Sequence, residues 1–557
     1  MTVAEYIAEF ISSKGTTDVF GLPGGVLDLL YAFNENPNIT PHLMYHEQCA
    51  GFAACGYAQN SGKLGVAYAT RGPGFTNLIS AIADAYCDSI PTLFITGHTT
   101  SELHPKMRVM DDQELDTCSI VETITKYAKR VDSLEDVQTC LEEAYLEATT
   151  GRKAPVLLDI NSDLFRKEIE LSEASEVKSD KENLRSLVSE ISTEIRTAKR
   201  PVFLIGDGIN QVHKSNSFRQ LVVKANIPVI SSRFSHDIMG GANLYYGYVG
   251  SHGMRAANFI FSKADTVITI GNRLHFPPNS ASYKPVIEQK KFIRIEIDGN
   301  EFERVLPNAI NHKADISTLI DALSASTDNF GKHGDWIKVC EELKQRLSET
   351  DVTSNVKTIA SFLKSVSDDY TVACDVGNNE FFVSRASTYA GSNLRTQYSK
   401  SFGILGCGLG KAIGAYYSTH KSVICFVGDQ GLQLNIQELQ YITQHNLPII
   451  VVVLNNHSSG MIKDRETLRF KSHYLHTTND SEYTHPDFSK IALAYNIEYV
   501  RIEPNLNGRL NNINKPILME IEIDDNEMLS PNLPKGEPLQ NLSPFLSSDE
   551  YEYLNNL

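Results

Sequence analysis

Asp429, Asn456 and Ser458 carry the first legible chemistry in this chain. A carboxylate, an amide oxygen and a backbone carbonyl are oxygen donors of the kind that a hard cation such as Mg²⁺ takes, usually shared with substrate phosphates. In Gly428-Asp429-Gln430-Gly431 the small residues leave backbone amides open to phosphate oxygens, close to the start of a helix. The flanking pattern supplies the elements that must hold these groups. Val423-Ile424-Cys425-Phe426-Val427 and the apolar run from Pro448 to Leu454 fit buried parallel strands. Between them Leu434, Ile436, Leu439 and Ile442 approximate one apolar face and predict a helix over 434–442. Both polar clusters then lie at the carboxyl ends of strands in one βαβ unit, where such sheets bind ligands. A strand-end turn using Gly and Asp for local geometry is the competing reading. The Asn455-Asn456 pair at the end of the next strand counts against it.

A matching set of small and polar residues lies in the amino-terminal third. Gly21-Leu22-Pro23-Gly24-Gly25 follows Asp18-Val19-Phe20 as a strand-to-helix turn. His46-Glu47-Gln48 opens a helix rich in small residues, and Thr70-Arg71-Gly72-Pro73-Gly74-Phe75-Thr76-Asn77 comes next. Together with Gly428-Asp429 and Asn455-Asn456, this order resembles the thiamine diphosphate (ThDP) enzymes, and among them the acetolactate synthase group. The resemblance covers nearly the whole chain and is most specific from Gly65 to His98. It implies cofactor contacts from Pro23, Gly24, Gly72, Gly74 and Asn77 on a pyrimidine-binding domain. On a diphosphate-binding domain it implies Gly377, Asn378, Gly403, Leu405, Gly428, Gln430, Gly431 and Met461, with Asp429, Asn456 and Ser458 on Mg²⁺. Leu405 aligns with the bulky apolar residue beneath the bend of the cofactor. Gln430 stands where the motif commonly has glycine or alanine. Glu47 becomes the carboxyl that hydrogen-bonds N1′ of the aminopyrimidine and so promotes deprotonation at C2, which calls for a rigidly held group. Taken alone, Glu47 also reads as a helix-start carboxylate stabilised by the helix dipole.

The resemblance weakens at the substrate pocket, and the differences there are chemical. Arg465 replaces a tryptophan that selects the acceptor 2-oxo acid, and Asp112, just before Gln113, replaces a phenylalanine at the catalytic entrance. His98 replaces a glutamine near the reacting carbon, and Ser162 replaces a lysine at the channel. Arginine suits bidentate recognition of a carboxylate or phosphate. The expected enzyme decarboxylates a 2-oxo acid, foremost pyruvate, and transfers the acyl unit to a carbonyl acceptor. That acceptor is larger or more polar than pyruvate, such as a keto-sugar nucleotide, and His98 relays protons or orients the intermediate. Two alternatives stay open: a decarboxylase that releases an aldehyde, and a non-catalytic binding protein on the same fold. Gly206-Asp207-Gly208, the turn Gly250-Ser251-His252-Gly253 and Arg273 resemble parts of an FAD region. The full Gly-x-Gly-x-x-Gly spacing is missing and the segment 274–278 departs from the pattern, so FAD is not favoured.

At 557 residues the chain is long enough for about three domains, and 41% hydrophobic with 21% charged residues suits a globular enzyme. A net charge of −17 disfavours nucleic acid or an anionic membrane as partner. No apolar run approaches a membrane span, and residues 1–14 read as an amphipathic helix rather than a signal peptide. The nine cysteines form no Cys-x-x-Cys pair and read as reduced packing residues of a cytoplasmic protein. The expected fold is α/β, with three doubly wound parallel-sheet domains. These are a pyrimidine-binding domain (1–168), a central domain (184–330) reached through a charged linker (169–183), and a diphosphate- and metal-binding domain (336–523). A turn-rich, irregular tail (524–557) follows, which in the resembling enzymes can lie over the active site. Because the cofactor half-sites lie on different domains, the resemblance implies a homodimer or homotetramer that joins them across subunits.

Overall fold

The apolar runs read as strands form the centres of three six-stranded sheets whose strand pairings are all parallel. The computed structural model describes residues 1–99, 107–108, 111–171, 184–502 and 513–557. In the first sheet the strand order is Thr40–Leu43, Asp18–Gly21, Gly65–Ala69, Thr92–His98, Pro155–Asn161, Tyr127–Val131. The third repeats that order with Thr396–Gln397, Thr371–Cys374, Val423–Gly428, Ile449–Asn455, Ile517–Glu522, Glu498–Ile502. The central sheet differs. Counting its six strands along the chain from Pro201–Ile205, they lie side by side as 3-2-1-4-5-6, the arrangement of dinucleotide-binding folds.

This topology fixes where ligands can sit. In the first sheet the chain order reverses between Asp18–Gly21 and Gly65–Ala69, and in the third between Thr371–Cys374 and Val423–Gly428. The crevice beyond the carboxyl ends of strands at such a switch point is the natural binding place. The loops after these four strands are Leu22–Gly25, Thr70–Gly72, Asp375–Gly377 and Asp429–Gln430. The two glycine-rich clusters therefore occupy equivalent places in two sheets of one topology.

The first and third domains join through helices Glu47–Ser61 and Gly408–Thr419. Small residues allow their backbones to approach: a Cβ at Gly414 would fall 1.9 Å from the carbonyl oxygen of Ala53, and one at Gly410 would meet Phe52 and Cys49. At this junction Lys411, fully buried, pairs with the equally buried Asp84 at 2.8 Å and donates to the carbonyl of Tyr398. Removing one partner of a buried ion pair strands the other charge without solvent. Lys411→Ala is therefore expected to lower unfolding stability by about 3–5 kcal/mol, read by denaturant titration of the cofactor-free protein.

Several elements depart from the sequence expectation. The helix expected over 434–442 is two short ones, Gly431–Leu434 and Glu438–Gln444. Asn435 interrupts them by donating its side-chain amide to the carbonyl of Gly406 and to Gln48. The helix Gly334–Leu347, whose residues from 336 on were assigned to the third domain, packs on the central one: Trp336 donates to the carbonyl of Pro201, and Cys340 and Leu343 join the apolar cluster of Val202 and Leu204. The tail 524–557 is not wholly irregular. It ends in helix Ser548–Asn556 and is pinned to the central domain by Arg255, which donates to the carbonyls of Leu542 and Pro544, and by Asn258, which donates to that of Leu539. Of the expected linker, 172–183 lies outside the described residues. No described helix is long and apolar enough to cross a membrane.

Candidate active site

The amino-terminal half-site is built on three loops that touch. The amide of Gly25 donates to Thr70 Oγ1 at 3.1 Å, and a Cβ on Gly24 would lie 2.8 Å from Thr70 Cβ, so the Pro23-Gly24 turn rests on the next loop. Gly72 takes a φ of +60° to start the helix Pro73–Asp88, and any side chain there would strike the carbonyl of Gln113. Arg71 Nε donates to the carbonyl of Asp112, fixing that segment over the same turn. Ser162 reaches the carbonyl of Gly25. Glu47, first residue of its helix, accepts a 3.0 Å hydrogen bond from the amide of Asn77. Its other oxygen stands 3.3 Å from where a Cβ of Gly74 would be, so glycine keeps that space open. Glu47, Pro23, Gly24, Gly72, Gly74, Asn77, Asp112, Gln113 and Ser162 are thus gathered at one sheet end.

His98 is the exception. It ends its strand beside Ser162, but the ring is fully buried, with Nε2 2.8 Å from Asp132 and Nδ1 3.6 Å from Asp159. Nε2 is held by Asp132, which is exposed, and Nδ1 faces the buried Asp159, so the ring is turned to these carboxylates and this placement gives no support to contact with a reacting carbon. A histidine among apolar strand residues carries no sequence mark of such enclosure.

The second half-site collects the residues expected to hold a metal and a diphosphate. Asp429 is buried at the end of its strand, with Oδ1 accepting from the amide of Gln430. Burial pushes its pKa up to about 6. Gly377, at φ +89°, opens the helix Asn378–Ala390 toward the same crevice, and helix amino ends favour phosphate. Asp375 clamps the neighbouring loop by accepting from the amides of Val376 and Gly406. That places Leu405 against Gly431, where a Cβ would sit 3.5 Å from its Cδ1 and 2.7 Å from Asp375 Oδ2. Gly428 faces Asn379, and Gly460 faces Asn456 and Asn378. Gln430 is exposed and lies 3.5 Å from Ser459. Gly403, also exposed, has positive φ in the Leu405 loop. Arg465 projects from helix Gly460–Arg469 as an exposed side chain beside the sulfur of Met461.

Two acceptors in this crevice suit a ligand. Among the described residues, Asp429 Oδ2 and Asn378 Oδ1 are buried without a hydrogen-bond partner. A buried unsatisfied acceptor is costly, and a cation or a protonated or metal-bound phosphate would satisfy both. The donor set of Asp429, Asn456 and the Ser458 carbonyl has the oxygen chemistry that Mg²⁺ requires.

Sequence reasoning missed Glu438, which sits fully buried where the first and third domains meet and accepts from the amide of Tyr45 at 3.0 Å, two residues before Glu47. Burial raises its carboxyl to about 8. A folded-state pKa above the unfolded value means that the folded protein binds more protons between about pH 4.5 and 8. Stability contributed by this group is therefore present at low pH and lost as pH rises toward 8. Glu438→Gln should remove that slope, so that the variant gains on the wild type in urea unfolding at pH 8 relative to pH 5.

Family models match in the same order as the domains. The amino-terminal TPP-binding domain of thiamine pyrophosphate enzymes matches residues 1–120, the central domain 188–323, and the carboxyl-terminal TPP-binding domain 375–520. The acetolactate synthase large subunit of Lactococcus lactis is 32% identical over 99% of this chain and 98% of its own length. The chain belongs to the thiamine pyrophosphate enzyme family. Within it the chain is acetolactate synthase-like, a ThDP-dependent carboligase. The isozyme 2 large subunit of Escherichia coli is 29% identical over 98% of this chain and 100% of its own length, and the chloroplastic acetolactate synthase 1 of Zea mays is 29% identical over 96% and 87%. The half-site around Glu47 lies in the amino-terminal TPP-binding domain and the crevice around Asp429 in the carboxyl-terminal one.

The residues resembling an FAD region line one cavity of about 480 Å³ where all three domains meet. Its cations are largely committed. Arg152 bonds Glu296 at 2.8 Å and Asp298 at 3.0 Å, Arg233 bonds Glu380, Lys400 bonds Asp207, and Arg273 bonds the hydroxyl of Ser401. A dinucleotide diphosphate would meet Arg152, Arg233 and Lys400 already paired with carboxylates, and Arg273 paired only with a hydroxyl.

Proposed function

We propose that this enzyme, holding ThDP and Mg²⁺, decarboxylates pyruvate and joins the acyl unit to a carbonyl acceptor more polar than a second pyruvate. The observation that carries the metal assignment is the pair of acceptors Asp429 Oδ2 and Asn378 Oδ1, left without a hydrogen bond at a strand end and a helix start of the same crevice. Bound ThDP supplies a thiazolium carbon that becomes nucleophilic when deprotonated and accepts the negative charge left by CO₂. The chain supplies the rest. Asn77 fixes one oxygen of Glu47, leaving the other over Gly74 to hold a proton at the pyrimidine ring. Asp429, Asn456 and the carbonyl of Ser458 would hold the metal, and Leu405, braced by Asp375 through Gly406, would give the cofactor an apolar support. The relatives named acetolactate synthase support pyruvate as donor. Exposed Arg465 and Asp112 at the mouth support a polar acceptor, of which a keto-sugar nucleotide is one example.

The half-sites are joined in a homodimer, itself able to pair into a tetramer. Glu47's neighbours Pro23 and Asn77 are exposed, and apolar residues flank both crevices in the open: Leu27 and Tyr31 on one side, Leu434, Leu468 and Phe470 on the other. Such surface supports burial against a second copy.

Product analysis by mass spectrometry tests the acceptor. With pyruvate and a keto-sugar nucleotide together, the wild type should form the branched sugar product in preference to acetolactate. Arg465→Trp should raise the acceptor KM about tenfold, the worth of one charge-assisted hydrogen bond, and raise acetolactate yield. Equal acetolactate yields from both proteins would defeat the polar-acceptor reading, and acetaldehyde as main product would favour a decarboxylase.

A further inference from the structure

Asn456 can serve a cation only through Oδ1, yet its amide is symmetric in shape and either end could face the crevice. The surrounding chain decides which end does. Asn456 Nδ2 donates to Ser458 Oγ at 2.9 Å and to Asp525 Oδ1 at 3.2 Å. Ser458 in turn donates its hydroxyl to the same oxygen at 2.5 Å. A carboxylate offers no donor, so Asp525 commits the NH₂ of Asn456 to itself and leaves Oδ1 on the opposite side. The same oxygen fixes the residue whose backbone carbonyl is the third metal donor. One carboxylate thus sets two of the three donors.

Asp525 is itself held from three directions. Lys463, from helix Gly460–Arg469, bonds its carboxylate and donates to its carbonyl at 2.8 Å. The turn containing it is tied to the largely buried Asn355, which exchanges hydrogen bonds with both backbone groups of Asp524, while Glu527 accepts from the amide of Asn355. Lys463 also supplies a counter-charge, so that the carboxylate sits beside a cation site without acting as a competing ligand.

We propose that Asp525, braced by Lys463, is the positioning residue that turns Asn456 and Ser458 toward the metal. This rests on the metal site proposed above. Supporting residues of this kind typically contribute 10–100-fold in metal affinity. The test is Mn²⁺ titration of the full chain with saturating ThDP, followed by electron paramagnetic resonance, beside thermal unfolding of the metal-free protein. Asp525→Ala should weaken Mn²⁺ binding roughly 10–100-fold with no change in metal-free unfolding temperature. Asp525→Asn, whose amide oxygen can still accept from Asn456 and Ser458, should restore most of the affinity. Were the alanine variant unable to fold, Lys463→Met should give a several-fold loss by releasing the carboxylate. Wild-type affinity in Asp525→Ala, or an equal loss in Asp525→Asn and Asp525→Ala, overturns the orienting role. Undiminished binding in an Asp429→Asn control would instead overturn the metal site and the inference with it.

Discussion

Glu47→Gln lowers kcat for pyruvate decarboxylation by about 10²–10⁴-fold, the range that a positioned proton-transfer group supplies, while ThDP remains bound. Glutamine matches the shape of glutamate, and its amide oxygen can still accept from Asn77. What it loses is the ability to hold a proton at the pyrimidine ring. The loss should therefore fall on kcat, with KM for pyruvate and the ThDP dissociation constant changed little. A parallel rise in the ThDP dissociation constant would show that Glu47 acts in binding instead. Spectroscopic titration of the cofactor and steady-state kinetics on the same preparation separate the two.

Asp429→Asn has the second large effect, and it moves stability and activity in opposite directions. In the protein without metal, Asp429 is a buried carboxyl whose second oxygen has no partner, and burial pushes its pKa up to about 6. Neutral asparagine removes that desolvation penalty, so the metal-free variant should unfold at the same temperature as the wild type or higher. Metal affinity should fall further than the roughly 10–100-fold loss typical of a supporting residue, because a charged donor itself is gone. Saturating Mg²⁺ and ThDP should raise the unfolding temperature of the wild type far more than that of the variant. A destabilised metal-free variant would assign Asp429 to the fold rather than to the cation.

The parts of this site that lie in short runs were legible in the sequence. Gly428–Gly431 with Asn455-Asn456, Gly21–Gly25 and Gly72–Asn77 each couple a strand end to a helix start, and apolar periodicity places such junctions. The parts set by tertiary contact were not. Asp525 lies 69 residues from Asn456 in the chain, and nothing local marks it. Glu438 lies in a stretch patterned as one continuous helix, and only the packing of Asn435 against Gly406 and Gln48 breaks it. His98 is the converse case: the resemblance put it near the reacting carbon, and only the structure shows its ring nitrogens turned to Asp132 and Asp159. The shared strand order of the first and third sheets was equally hidden, since parallel pairing across crossovers leaves no sequence signature beyond the strands themselves.

The central claim is that Glu47 and a metal-held ThDP act together on a 2-oxo acid. Release of labelled CO₂ from carboxyl-labelled pyruvate tests it most directly, in wild type and Glu47→Gln, with and without a chelator, and with the polar acceptor present. The account predicts release that requires ThDP and Mg²⁺ and nearly vanishes in Glu47→Gln. Release that persists unchanged in Glu47→Gln, or no release by wild-type protein with ThDP demonstrably bound, would contradict it.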